Sequence, residues 1–160
     1  MKKLLIVVLV SLFIAIAAGA QEKVKLLVNP IKTGTDVAWP YDSKQLQTQV
    51  AAELMNKVGK KFAVVTEAPE EKGRHFVLDC EVVEWHAGNA AQRALIGMGA
   101  GRESAKVRYS LTDPSGKKVM EREDTIRAEF WGNAYAGSVG QLAHPLADKI
   151  AGRLGEVKVG

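Results

Sequence analysis

A chain of 160 residues with a net charge of +4 and a single cysteine, Cys80, has room for one compact domain and excludes an internal disulfide. Two of the surplus positive charges are Lys2 and Lys3, so the balance falls from +4 to +2 without them, which weakens any case for a nucleic-acid partner.

The first twenty residues read as an export signal. Lys2 and Lys3 open it, an apolar run over residues 4–16 follows, and Ala18, Gly19 and Ala20 supply the small residues of a cleavage site. Cleavage after Ala20 makes Gln21 the amino terminus and leaves residues 21–160 as a single α+β domain. A retained amino-terminal anchor is the competing reading, because the apolar stretch over residues 4–20 reaches the short end of a membrane span. No cysteine stands at the junction to carry a lipid. The expected location is the periplasm or cell envelope, and peripheral membrane association stays open.

Beyond the signal, residues 23–28 alternate lysine with aliphatics and read as a first strand, closed by Asn29 and Pro30. A loop over residues 31–41, holding Gly34, Trp39 and Pro40, leads to a helix capped by Asp42 or Ser43 and running to Val58. Leu46, Val50, Leu54 and Val58 form its apolar stripe, widened by Ala51 and Met55, and Gly59 ends it. Residues 61–66 are a second strand, and residues 67–73 a charged loop. In the third strand, residues 74–85, Phe76, Leu78, Cys80 and Val82 face one way and Val77, Asp79, Glu81 and Val83 the other. The alternation sets Cys80 in the core.

Ala105, Val107, Tyr109 and Leu111 alternate with Lys106, Arg108, Ser110 and Thr112 in a fourth strand, and the turn residues 113–117 join it to a fifth over residues 118–130. A closing helix starts near His144, with Pro145 in its first turn and Leu146, Ile150 and Leu154 at helical spacing. The elements sum to an α+β fold: a single mixed or antiparallel sheet of about five strands covered by two helices, after an N-terminal signal peptide.

The segment between the third and fourth strands breaks this pattern. Gly97, Gly99 and Gly101 recur with period two, so in an extended chain they leave one face bare, whereas in a helix each costs about 1 kcal/mol. Residues 89–96 therefore predict at most two helical turns before a glycine-rich loop. A dinucleotide loop needs a helix after it, and here a strand follows. The uncharged residues 94–101 are too few to span a bilayer. A second small-residue stretch, residues 131–137, carries Trp131 and Tyr135, and the two loops are expected to meet in space.

Gly88 and Asn89, Arg93, the run Gly97, Met98, Gly99, Ala100, Gly101 and Arg102, then Val107, Leu111, Thr112, Asp113, Gly116 and Lys117 together resemble the bacterial exported family called domain of unknown function 4410. The resemblance extends more loosely from Val24 to Leu154. It implies a small envelope protein, since many members look like lipoproteins, and it carries over no catalytic residue. At Ala20 and Gln21 this chain departs from the lipoprotein members, which have a lipid-bearing cysteine there.

The histidines, His75, His86 and His144, lie in separate segments without the paired spacing of a helical zinc motif, so neither a metal nor a cofactor is expected. Glu84 and His86 share a strand face and, with Asp79 or Cys80, outline a weak catalytic constellation. The expectation is that the protein is not an enzyme. Arg93 is expected to pair internally with acids such as Asp79, Glu81 or Glu103, and Arg102 either to do the same or to bind an anion or a partner's carboxylate. The expected function is binding, with another envelope protein as partner, through Arg93, Gly97, Gly99, Gly101, Arg102, Trp131 and Tyr135. The alternative is a small-ligand-binding periplasmic protein, with a hydrolase further behind.

Overall fold

The structure, a computed structural model, describes residues 23–70, 75–89, 101–129 and 139–158. Its elements are β1 (Val24–Val28), β2 (Lys32–Thr33), α1 (Ser43–Val58), β3 (Phe62–Val65), β4 (His75–His86), β5 (Ser104–Thr112), β6 (Lys118–Arg127) and α2 (Gly140–Glu156). One mixed sheet runs in the order β3-β1-β4-β5-β6. The pairings among β3, β1 and β4 are parallel, and those among β4, β5 and β6 antiparallel. This is the expected α+β architecture.

The extra strand is β2, which pairs in parallel with Glu81 and Val82 of β4. β4 is 12 residues long and β1 accompanies only its first part, so β2 takes the remaining edge after the interruption at Asn29 and Pro30. Residues 113–117 form the expected hairpin: Asp113 Oδ1 accepts from the backbone N–H groups of Ser115 and Lys117, and Gly116 takes a left-handed φ of 85°. The β5–β6 ladder ends at Arg127, although Ala128 still donates its N–H to the Glu103 carbonyl at 2.8 Å.

Both helices cover one sheet face. Against Leu26, Val28, Phe62, Val64, Phe76, Leu78, Cys80, Val82, Val107, Tyr109 and Leu111 they bury Leu46, Val50, Leu54 and Val58 from α1, and Leu142, Leu146, Ile150 and Leu154 from α2. Each such side chain contributes about 1.5–3 kcal/mol on burial. The α1 stripe widens differently from expectation, for Met55 is exposed and Gln47 buried. Gln47 belongs there because its Nε2 donates to Val28 O at 2.8 Å, at the point where β1 stops. The N-cap is Asp42, which accepts from the Gln45 N–H. Gly59 ends α1 in right-handed geometry rather than the left-handed cap its identity suggested.

The closing helix begins at Gly140, four residues before the expected start, so Pro145 lies in its second turn. Proline has no N–H for the carbonyl four residues back. That carbonyl, of Gln141, instead accepts the Glu129 N–H at 3.2 Å and ties the exit of β6 to α2.

Candidate functional site

The candidate site is the end of the sheet where β4 leaves, β5 enters and β6 leaves. Two chain segments cross there at close range. Asn89 N–H donates to Gly101 O at 2.8 Å, and Gly88 and Gly101 adopt left-handed φ values of 75° and 63°. A Cβ on Gly88 would stand 2.4 Å from Gly101 O and 2.8 Å from Glu103 N, so both conformation and space demand glycine.

Immediately inside this crossing lies Glu103, only 8% exposed. Its Oε1 accepts from Trp85 Nε1 and its Oε2 from Tyr41 OH, each at 2.7 Å. Such bonds are what a carboxylate needs when taken out of water. The clamp joins three regions: β4 through Trp85, the entry to β5 through Glu103, and the residue before the cap of α1 through Tyr41. Trp39 packs edge-on to Tyr41, with ring centroids 5.2 Å apart, and its Nε1 is buried without a hydrogen-bond partner among the described residues. Burial, and next the Glu103 carboxylate, hold the Tyr41 phenol well above the ordinary tyrosine range.

Glu103 joins this face for a reason visible in the strand: it continues the buried series Ala105, Val107, Tyr109 and Leu111 back by one step of two. An acid at an inward position must find partners, and that was the signal available in the sequence. Trp85 gave no such signal. A bulge between Val82 and Glu84 exchanges the faces of β4, which turns Trp85 to the helix side opposite Ala105.

Of the predicted site residues, Gly101 and Arg102 lie at this crossing, and Arg102 is exposed. Arg93, Gly97, Gly99, Trp131 and Tyr135 lie outside the described residues, as do the predicted helical turns and the meeting of the two loops. The acids considered for Arg93 have other partners: Asp79 accepts from Asn29 Nδ2, Glu81 lies 3.6 Å from Arg108, and Glu103 is in the clamp. Trp39 and Trp85 are half-buried against the core.

Glu84 and His86 share the open face as expected, but Cys80 points into the core, and Lys106 binds Glu84 directly. That bond holds the Glu84 carboxyl below the usual carboxylate range and the Lys106 ammonium above its own. Burial, then the neighbouring Asp79, pushes the Cys80 thiol up to about 12, which leaves it protonated and inert near neutrality.

A second polar cluster, absent from the sequence reading, joins the helices. His144 Nδ1 is 3.1 Å from Glu53, and its Nε2 is 3.5 Å from Asp148 and 3.8 Å from Glu129, while Lys57 lies 2.6 Å from Asp148. It brings together α1, α2 and the exit of β6 as a polar network around the Lys57–Asp148 ion pair. No metal-holding group of three or more ligands occurs among the described residues.

The model of a family described as Domain of unknown function (DUF4410) matches residues 31–128. No curated protein matches the chain. Among solved structures it is similar to a PelC dodecamer from Paraburkholderia phytofirmans, at 19% identity and a TM-score of 0.53, covering 80% of this chain and 86% of that one. A variant of that PelC dodecamer is similar at 20% identity and 0.53, covering 81% and 86%. A protein described as uncharacterized is similar at 14% identity and 0.57, covering 85% and 94%. These similarities show a shared fold.

Proposed function

Because the chain belongs to the DUF4410 family, we propose that it is an exported interaction domain of the bacterial cell envelope, acting by binding rather than catalysis. The observation that carries this reading is the construction of the sheet end: the buried Glu103 clamp fixes the crossing of residues 88–89 with residues 101–103, and Arg102 emerges from it exposed. A held backbone bearing an exposed guanidinium suits recognition, because the backbone of residues 101–103 is already ordered before a partner arrives. The reactive residue types have structural uses elsewhere: Cys80 fills the core, and His144 sits among the carboxylates joining the helices.

The partner in this proposal is another envelope protein, and the signal-like first twenty residues support export to that compartment. The dodecameric form of the PelC neighbours supports a second copy of this chain as that partner. The test is crosslinking in the native envelope followed by mass spectrometry, with Arg102→Ala as control. The expected result is a reproducible crosslinked partner, lost in an Arg102→Ala variant that melts at the wild-type temperature. A monodisperse monomer with no crosslinked partner would overturn the reading. Amino-terminal sequencing of the envelope form, expected to begin at Gln21, tests the export step separately.

A further inference from the structure

The geometry points to an oxyanion subsite on the open face of the sheet, at the same end, built from Ser104, Arg127 and Arg102 and suited to a phosphate group. The inference deepens the interaction reading, and rests on it for the use made of the bound group, by naming the chemistry that this end recognises.

His86, Ser104 and Arg127 stand directly opposite one another on β4, β5 and β6. Trp85, Ala105 and Ile126, one step away in each strand, pack on the helix side, so this row projects from the open face. Neighbouring strands lie about 4.8 Å apart, so the short Ser104 side chain stands between the longer His86 and Arg127 in this row. Arg102 enters two residues before Ser104 and is exposed, as is Arg127.

The cations of β5 on this face have carboxylates. Arg108 is 3.1 Å from Glu123 and 3.6 Å from Glu81, directly across the strands, and Lys106 binds Glu84 in the row beside Ser104. Arg127 and Arg102 make no ion pair among the described residues. The nearby acids are committed: Glu84 to Lys106, with His86 Nε2 at 3.9 Å, and Glu129 toward His144. Two exposed guanidiniums at the same end of this face as the Ser104 hydroxyl, neither in an ion pair among the described residues, fit a tetrahedral oxyanion that accepts several charge-assisted hydrogen bonds at once.

The test is a 1H–15N titration of the full mature chain with inorganic phosphate, against sodium chloride of matched ionic strength and against acetate. The expected result is saturable shifts confined to residues 101–105 and 125–128, absent with chloride and weaker with acetate. Arg127→Gln and Ser104→Ala are each expected to retain the wild-type melting temperature, the first weakening phosphate about tenfold. Arg108→Gln, whose guanidinium is already paired, is expected to bind phosphate within about twofold of wild type. Shifts that track ionic strength alone, equal binding of acetate, or full phosphate affinity in a folded Arg127→Gln would each overturn the subsite. Crosslinks retained beside an absent phosphate response would overturn the subsite alone. A saturable response beside no crosslinked partner would overturn the interaction reading alone.

Discussion

At the end of the sheet where β1 and β3 begin, cations turn inward to the backbone. Lys61 donates its ammonium to the carbonyls of Leu154, Gly155 and Val157 at the C-terminus of α2, and Lys23 donates to Gly59 O just past the C-terminus of α1. At the opposite end an anion turns inward, Glu103 held by Trp85 and Tyr41, while Arg102 and Arg127 face solvent. The helices run in the same direction, so their negative ends collect at the lysines and their N-termini near the clamp. The contrast teaches that partner, not residue type, decides what a charge is for: Lys61 closes the fold because it donates to carbonyls, and the two arginines are exposed with no ion pair among the described residues.

Removing the clamp carries the largest expected effect. Glu103→Ala strands two part-buried donors and is expected to cost about 2 kcal/mol in urea unfolding, with Glu103→Gln costing less because it keeps one acceptor. Wild-type stability in Glu103→Ala would mean that this end is not held by the carboxylate. Lys61→Met keeps the apolar stem and removes the ammonium, so the expected loss is about 1 kcal/mol, measured by the same unfolding curves. A neutral outcome there would erase the distinction between the two ends.

The exposed Glu84–Lys106 pair should have the smallest effect, and pH sharpens it. Its carboxyl is held below the usual range, so whatever stability it adds is present above the unfolded carboxylate value and is lost as pH falls through the folded one. Melting temperatures of wild type and Glu84→Gln should differ slightly at neutral pH and converge in acid. A difference that persists in acid would show that Glu84 contributes through packing and not through charge.

Most of the fold was legible because each face of a strand or helix carries its own period. The inward series Phe76, Leu78, Cys80, Val82 and Ala105, Val107, Tyr109, Leu111 are buried as their alternation indicated, and Asp42 caps α1. Less of the site was legible. Arg102 and Gly101 stood out, whereas Glu103 was named only as an internal partner for the arginines although it continues an inward series, and Tyr41 lies 62 residues away with no local pattern to connect them. β2 is two residues long, too short to show a period, and forms only because β4 outruns β1.

By itself, then, the sequence determined the composition of each element and the face it would bury, since hydrophobic period and capping act within a few residues. The tertiary structure decided where α2 begins, because the Gln141 carbonyl freed by Pro145 finds the Glu129 N–H only after β6 has docked. It also decided that Trp85 reaches Glu103, through a bulge set by the strand opposite. The paired rows left Arg127 without a carboxylate in the same way, since register is a property of neighbouring strands and not of any one segment.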